Sequence, residues 1–261
     1  MTPQPIRFDD GAAYERGMAP WSQLAGTIFL DWLEPKPGLR WLDVGCGNGA
    51  FTELIVQRCA PAETQGIDPS EGQLTFARTR PGTNQTIFQI GDATALPFDA
   101  NRFDAAIMAL VIFFVPDPPK GVAEMARVVA PGGLVAAYAW DMEGGGFPFY
   151  PLQAELRAMG QTPAAPPSAS ASRMDAMQDL WTQAGLTDIE TTQITVRRDF
   201  PAFEDYWANT TAMANTRGAL IDLTEAEIDQ LRTKIRTHLT EHADGHLSFQ
   251  ARANAIKGRV P

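Results

Sequence analysis

The sequence contains few of the residues on which several kinds of site depend. Its 261 residues include only three histidines and two cysteines, Cys46 and Cys59. The two cysteines lack the spacing of a metal-ligand pair, and they cannot supply the framework of a disulfide-rich fold. We therefore expect neither a structural metal site nor a fold held together by disulfides.

Positive charge is also scarce. The chain has 21 Lys and Arg against 31 Asp and Glu, which gives a net charge of −10 at pH 7. Its densest basic pair is Arg197-Arg198. Since a surface of this charge repels a phosphate backbone, we expect no nucleic-acid partner.

Long apolar runs are missing as well. The longest, residues 105–115, is shorter than the roughly 20 residues of a membrane helix. The first residues, MTPQPIRFDDG, lack the basic and apolar regions of a secretory signal. A hydrophobic content of 44% still suffices for a core. We therefore expect a cytoplasmic protein without a membrane span, folded as a single domain over 1–261.

Short apolar runs alternate with helical patterns over residues 39–141, which is typical of a parallel sheet with helices on both faces. The predicted strands are 39–44, 64–67, 86–90, 103–110 and 134–140. Helix signals separate them, among them Asp117 as N-cap before a proline, and Pro131-Gly132-Gly133 as a helix stop.

The flanking regions differ from this core. Residues 1–38 predict an N-terminal helical cap, in which Trp21, Leu24, Ile28 and Leu33 belong to one apolar stripe. Residues 142–261 predict loops at 144–146 and 162–172, a strand at 189–196 and a helical insertion at about 201–243. The period-two pattern of 247–256 predicts a last strand that is antiparallel and buried on one face.

The most informative segment is Asp43-Val44-Gly45-Cys46-Gly47-Asn48-Gly49. Here a strand runs into a glycine loop and then a helix, whose N-terminal amides can bind a negative group. A glycine turn can also simply connect a strand to a helix without binding a ligand. The same strand, loop and helix also occur in nicotinamide-dependent dehydrogenases, whose glycine fingerprint has its third glycine three residues after the second. Here the second glycine is Gly47 and position 50 is alanine, which weakens the interpretation as a dehydrogenase.

Two aspartates follow the next two predicted strands. Asp68, in Gly66-Ile67-Asp68-Pro69-Ser70, can accept both hydroxyls of a ribose, and Asp92 can accept from the amine of an adenine. Each aspartate can also be a simple turn or loop cap.

Together with Arg127-Val128-Val129-Ala130-Pro131-Gly132-Gly133, these segments resemble the successive motifs of class I S-adenosylmethionine-dependent methyltransferases. The similarity covers about residues 39–141 and is greatest to the small-molecule enzymes of the ubiquinone/menaquinone methyltransferase group. It implies a Rossmann-like α/β fold, a seven-stranded mostly parallel sheet whose last strand is antiparallel. It also implies S-adenosyl-L-methionine as cofactor, S-adenosyl-L-homocysteine as product and no metal.

The resemblance also implies roles for individual residues. Asp43, Gly45 and Gly47 would hold the methionine part, Asp68 the ribose, and Asp92 with Ala93 the adenine, while Leu110 would lie near the sulfonium. Cys46 and Pro69 lie within the same motifs. In relatives the N-terminal segment folds over the cofactor, so Tyr14, Arg16 and Trp21 are further candidates.

The acceptor side is less specific. Many relatives carry a histidine after the fourth strand, but here residues 111–117 contain none, which favours an apolar pocket. Aromatic residues predict a small, partly apolar acceptor: Phe113, Phe114, Phe149 and Trp207. Asp141, just after the fifth strand, is a candidate general base, although it can equally be a turn cap. The helical insertion is predicted to cover the acceptor.

Three functions remain open at this point. The favoured one is methyl transfer to a small molecule by a monomer or homodimer. The alternatives are an NAD-dependent oxidoreductase and a non-catalytic protein that binds S-adenosylmethionine.

Overall fold

The computed structural model describes residues 17–161, 163–211, 218–221 and 223–261. The helices are α1 (Ala19–Leu33), α2 (Ala50–Cys59), α3 (Glu71–Ala77), α4 (Pro118–Val128), α5 (Tyr150–Ala158), α6 (Met174–Gln183), α7 (Phe203–Thr211) and α8 (Glu225–Arg236). The strands are β1 (Arg40–Val44), β2 (Glu63–Asp68), β3 (Ile87–Ile90), β4 (Phe103–Ala109), β5 (Val129–Trp140), β6 (Thr187–Phe200), β7 (Thr240–Glu241) and β8 (Leu247–Arg259). Short 3₁₀ turns cover Pro81–Thr83, Ile112–Phe114 and Ala169–Ser172.

The sheet has the order β3-β2-β1-β4-β5-β8-β6, and the short β7 pairs with β8. Strands β3, β2, β1, β4 and β5 are parallel, whereas β8 lies antiparallel between β5 and β6. This confirms the predicted Rossmann-like sheet with an antiparallel last strand. The two-residue β7 was not predicted, because it is too short to show a periodic pattern.

Helix signals in the sequence correspond to the observed caps. The side chains of Ser70 and Asp117 accept hydrogen bonds from the amides of Gln73 and Lys120, and Thr224 forms a complete capping box with Glu227. Such caps satisfy the amides that have no partner within a helix. Among the described helices, none has the length and apolar sequence that a membrane crossing requires.

Three details of the sequence prediction were wrong. In α1, Leu24 and Ile28 are exposed, because only the face through Trp21, Ala25, Phe29 and Leu33 packs inward. Helix α4 ends at Val128, and the Pro-Gly-Gly segment already belongs to β5, where the Gly132 amide donates to Val260 O.

The third detail concerns β8, which is buried on both faces over residues 253–256. An alternating sequence predicts one exposed face. Here Asn254 occupies the second face and is buried, and its Nδ2 is satisfied there by donating to the Ser172 carbonyl at 2.9 Å. The central position of β8 between β5 and β6, with α6 packed on it, explains that burial.

Candidate functional site

A cavity of about 1220 Å³ opens at the carboxyl ends of the parallel strands. It lies where the strand order reverses, between β1 and β4, which is the usual ligand position in open α/β sheets. Its walls come from the loops after β1, β2, β3 and β4. The predicted site residues that line it are Gly45, Cys46, Gly47, Asp68, Pro69, Asp92, Ala93, Leu110 and Phe114.

The glycine loop after β1 needs its glycines for two different reasons. Gly45 has a φ of +75°, and a Cβ there would lie 2.5 Å from Val111 Cγ1. Gly47 has a φ of +52°, but a Cβ would meet no heavy atom of the described residues within 4 Å, because this glycine borders the cavity. The loop therefore needs glycine at 45 for packing and at 47 for access to a ligand.

A buried ion pair supports this loop from behind. Arg80 Nε donates to the carbonyl of Asn48 at 2.6 Å, and Arg80 pairs with Glu53 of α2 at 3.0 Å. Glu53 also accepts from the amide of Gly82 at 3.1 Å. Because the arginine bridges the loop and helix α2, it fixes the position of the loop before any ligand binds.

Asp68 connects the glycine loop to the turn after β2. Its Oδ2 accepts from the Gly47 amide and its Oδ1 from the Ser70 amide, each at 2.9 Å. Burial raises the pKa of Asp68, and these two hydrogen bonds partly counteract that effect. Both oxygens keep a lone pair, so the carboxylate can still accept hydrogen bonds from a ligand in the cavity.

Asp43 lies beneath the loop and is fully buried, so it does not line the cavity itself. Its Oδ2 accepts from the Thr52 hydroxyl at 2.6 Å, whereas Oδ1 has no hydrogen-bond partner among the described residues. Burial raises the pKa of Asp43 to about 7, despite the Thr52 hydrogen bond, and the charge of Asp68 raises it further. The site thus contains a buried carboxyl group with one unsatisfied oxygen.

The loops after β3 and β4 also line the cavity. Asp92 Oδ1 accepts from both the amide and the hydroxyl of Thr94, at 2.7 and 2.8 Å, which lowers the pKa of Asp92. Leu110 has a φ of +62°, a rare conformation for a leucine, and its amide donates to the Tyr138 carbonyl. This backbone conformation turns the chain sharply at the end of β4.

The outer wall comes from a distant part of the chain. Pro163, Ala165, Pro166 and Pro167 line the cavity, as do the apolar residues Val111, Phe114, Val115 and Pro116. Ser168 anchors this segment, which we call the proline segment (residues 163–167). The Ser168 amide donates to the Phe113 carbonyl at 3.0 Å, and the Ser168 hydroxyl donates to the Val115 carbonyl at 2.8 Å.

Several predicted residues do not line the cavity. Trp21, Phe113 and Phe149 are buried in the core, and Trp207 stacks on Phe203 of α7. None of the described residues of the insertion, 201–211, 218–221 and 223–243, lines it either. Tyr14 and Arg16 lie outside the described residues.

Asp141 also lies away from the cavity lining, in an ion pair with Arg252 at 2.7 Å. Its second oxygen accepts from the Gly144 amide at 3.0 Å, and the same arginine donates to the Gly144 carbonyl. In the structure Asp141 thus holds the glycine-rich turn after β5, which is the turn-cap alternative considered for it.

The cavity also contains residues that the motifs did not indicate. Ser22 and Gln23 of α1, Phe51 and Leu54 of α2, and Tyr138 of β5 all line it. Helical periodicity predicts Phe51 and Leu54 as core residues, but it cannot distinguish a core from an adjoining cavity. Ser22 and Gln23 follow the apolar Trp21, and no motif singles them out.

Comparisons with known proteins agree with this geometry. A family model for a methyltransferase domain matches residues 42–137. A malonyl-[acyl-carrier protein] O-methyltransferase of Methylococcus capsulatus is 32% identical over 199 residues, which cover 76% of this chain and 68% of that protein. The chain belongs to the S-adenosylmethionine-dependent methyltransferases.

Other members of this methyltransferase family match over a shorter stretch. A ubiquinone/menaquinone biosynthesis C-methyltransferase of Cereibacter sphaeroides is 35% identical over 108 residues, 40% of this chain and 43% of that protein. The resemblance to the ubiquinone/menaquinone group is thereby confirmed. The chain spans about half the length of several further curated methyltransferases that it matches.

A solved structure extends the likeness to nearly the whole chain. Phosphoethanolamine N-methyltransferase 2 of Haemonchus contortus, in complex with phosphomonomethylethanolamine and S-adenosylhomocysteine, superposes with a TM-score of 0.61. The superposition covers 97% of this chain and 58% of that one at 19% identity, so it shows a shared fold.

The cofactor of the family is S-adenosylmethionine, and the residues present fit it. The cavity exceeds the volume that a ligand of this size needs, Gly47 leaves open space at its wall, and Asp68 presents a carboxylate there. The unsatisfied Oδ1 of Asp43 lies beneath the same loop. Within the described residues, no group of three or more His, Cys, Asp or Glu side chains is placed to hold a metal.

Proposed function

We propose that the protein transfers the methyl group of S-adenosylmethionine to a small, partly apolar acceptor. The observation that carries this proposal is the cavity's lining, which combines the polar glycine loop and Asp68 with the apolar proline segment. The polar part of the lining suits the cofactor, and the apolar part suits an acceptor body. The names of the malonyl and ubiquinone/menaquinone relatives, which describe methyl transfer to small organic groups, support the same class of acceptor.

For the cofactor, we propose the roles that the motifs imply. Asp68 would accept the ribose hydroxyls, Gly45 and Gly47 would give room to the methionine part, and Asp92 and Ala93 would hold the adenine. Cys46, Pro69 and Leu110 would complete the contact surface. Tyr14 and Trp21 remain sequence predictions for the same role.

The proposed reaction requires little chemistry from the protein's own side chains. S-adenosylmethionine supplies an activated methyl group, so the chain needs mainly to align the acceptor in line and to exclude water. Val111, Phe114 and the proline segment provide an apolar wall for both tasks. A base is needed only for an acceptor that arrives protonated. The base role of Asp141, and the acceptor roles of Phe113, Phe149 and Trp207, remain predictions, as do the single domain, the cytoplasmic location and the oligomeric state.

Turnover tests this proposal directly. The protein would be incubated with S-adenosylmethionine carrying a deuterated methyl group and with a panel of phenols, carboxylic acids, amines and quinols. Mass spectrometry would follow S-adenosylhomocysteine and the labelled acceptor. We expect acceptor-dependent formation of both products. Tight cofactor binding without turnover across the panel would favour the non-catalytic alternative, and hydride exchange with NAD would favour the oxidoreductase.

A further inference from the structure

The cavity is larger than the cofactor alone requires. Its volume of about 1220 Å³ exceeds the roughly 300–1,000 Å³ of pockets that hold one drug-sized ligand. An acceptor can therefore bind beside S-adenosylmethionine in the same cavity. The charges and the hydrogen-bond donors of the lining then determine which acceptors lose least on leaving water.

The charged side chains that line the cavity are all acidic. They are Asp68, Glu71 and Asp92, and none of the lining residues that the structure describes is a Lys, Arg or His. Glu71 pairs with Arg78, which is not part of the lining, at 2.7 Å. Asp68 accepts from two backbone amides and Asp92 from Thr94, and neither aspartate forms an ion pair with a cation of the described ranges.

The nearest other cations do not change this balance. Lys120 lowers the pKa of Asp92, but it does not line the cavity. Arg80, behind the glycine loop, is buried and pairs with Glu53. The cavity therefore has a negative potential, in a chain whose net charge is already −10. This potential suits the cationic sulfonium of the cofactor, and it repels an anionic acceptor.

The apolar part of the lining also offers an anion few hydrogen bonds. This apolar wall consists of the proline segment and of four residues after β4: Val111, Phe114, Val115 and Pro116. Its side chains contain no polar atom, and four of its residues have no amide hydrogen because they are prolines: Pro116, Pro163, Pro166 and Pro167. The amides of Phe114 and Val115 already donate to the carbonyls of Val111 and Ile112, at 2.7 and 3.3 Å.

Polar side chains without charge line the cavity on other elements: Ser22, Gln23, Asn48, Ser70, Gln73 and Tyr138. None of them belongs to the apolar wall. A carboxylate or phosphate group against that wall would lose its hydration and would gain neither a counter-charge nor several donors, which is costly. An uncharged apolar group loses little there, because burial of its surface is favourable.

We propose that the apolar wall and the acidic lining select a methyl acceptor that is uncharged and apolar, without a carboxylate or phosphate group. This inference rests on the proposed function, and it narrows the acceptor class of the same cavity. The wall contacts the body of the acceptor, and the absence of cations from the described lining excludes anionic molecules of the same shape.

The test compares naphthoate, an anion, with naphthamide, its uncharged analogue of nearly the same shape. Each would be titrated calorimetrically at neutral pH into the full chain saturated with S-adenosylhomocysteine. We expect naphthamide to bind at least about tenfold more tightly than naphthoate, because only the anion loses hydration that the wall does not replace. The difference should shrink as salt is added, since salt screens the acidic side chains.

A new cation in the wall should reduce this discrimination. Ala165 lines the cavity at an exposed position, so Ala165→Lys adds a charge there without disturbing the core. We expect it to bind naphthoate about threefold more tightly than the original protein does, as for a solvent-exposed ion pair. Ala165→Gln is the control for side-chain length. Ser170→Lys adds the same charge at an exposed position outside the lining, and neither control should show the gain.

The outcomes separate this inference from the proposed function. If S-adenosylhomocysteine does not bind, the proposed function is wrong. If it binds but naphthoate binds as tightly as naphthamide, or neither compound binds, the inference is wrong. An equal gain in Ser170→Lys and Ala165→Lys would also contradict it, because the net charge of the chain, rather than the lining, would then set the preference. Thermal unfolding shows that each variant compared is folded.

Discussion

Among the described aspartates and glutamates, Asp43 has the environment that departs most from that of an ordinary carboxylate. It is fully buried, Thr52 satisfies one of its oxygens, and the other has no partner in the part of the chain that the structure describes. Because folding raises its pKa from 3.8 to about 7, the folded state holds the proton more tightly than the unfolded chain does. The resulting stabilisation is complete below the unfolded pKa and is lost as the pH rises through the folded pKa.

Replacing Asp43 by asparagine should therefore change the pH dependence of stability. Asparagine keeps an oxygen for the Thr52 hydroxyl but cannot ionise. Between about pH 4 and about pH 8, we expect the free energy of unfolding of the original protein to fall relative to Asp43→Asn by roughly 2–4 kcal/mol. Urea unfolding of the ligand-free proteins at several pH values measures this. A constant difference across that range would show that Asp43 is already ionised in the folded state.

At the scale of an element, two glycines of the loop between β1 and α2 are predicted to matter for different properties, Gly45 for stability and Gly47 for cofactor binding. Gly45→Ala meets both a positive φ and Val111, so we expect a loss of about 3 kcal/mol or more in unfolding free energy. Gly47→Ala meets only the positive φ, at about 1–2 kcal/mol, but its methyl group enters the cavity. We expect it to fold and to bind S-adenosylhomocysteine at least about tenfold more weakly.

Gly245→Ala is the matched control, because Gly245 has a φ of +85°, open space around a Cβ and a position away from the cavity. Unfolding curves and calorimetry on the three variants distinguish the effects. Full cofactor affinity in Gly47→Ala would contradict the assignment of this loop to the cofactor.

The same loop shows what the sequence predicts well. Residues 43–49 predict strand, turn and helix correctly because each local signal agrees with the fold. The position of Asp68 at the cavity was likewise predicted from a single motif, the segment 66–70. The exposure of Leu24 and Ile28 could not be predicted, since an apolar stripe does not reveal how wide the packed face of a helix is. Arg80 carries no motif, and only the folded chain brings it to Asn48 and Glu53.

At the scale of the whole molecule, the proline segment lines the cavity together with residues 111–116, which lie about fifty positions earlier in the chain. Its composition predicts a loop, whereas the helical insertion was predicted to cover the acceptor. Composition could not identify the covering element, because the choice depends on the two hydrogen bonds that tie Ser168 to Phe113 and Val115. Aromatic residues were similarly ambiguous, and Phe149 belongs to the core.

Ser168→Ala should loosen this segment without disturbing the cofactor side. Losing one hydrogen bond of about 1 kcal/mol should increase local opening about fivefold. Hydrogen exchange of residues 161–170, followed by mass spectrometry, measures the change. The exposed Ser170→Ala is the control, and S-adenosylhomocysteine affinity should be unchanged in both. Identical exchange in the two variants would mean that the Ser168 hydroxyl does not hold the segment.

The central claim is that this cavity binds S-adenosylmethionine through Asp68. Calorimetric titration with S-adenosylmethionine, S-adenosylhomocysteine and NAD tests it most directly, on the original protein, Asp68→Ala and an exposed control, Asp179→Ala. We predict that the two adenosyl sulfur compounds bind and NAD does not. Asp68→Ala should lose a few kcal/mol of binding free energy, since each hydrogen bond to a charged group contributes roughly 1.5–3 kcal/mol. Binding of NAD alone, or S-adenosylmethionine binding unaffected by Asp68→Ala, would contradict the account.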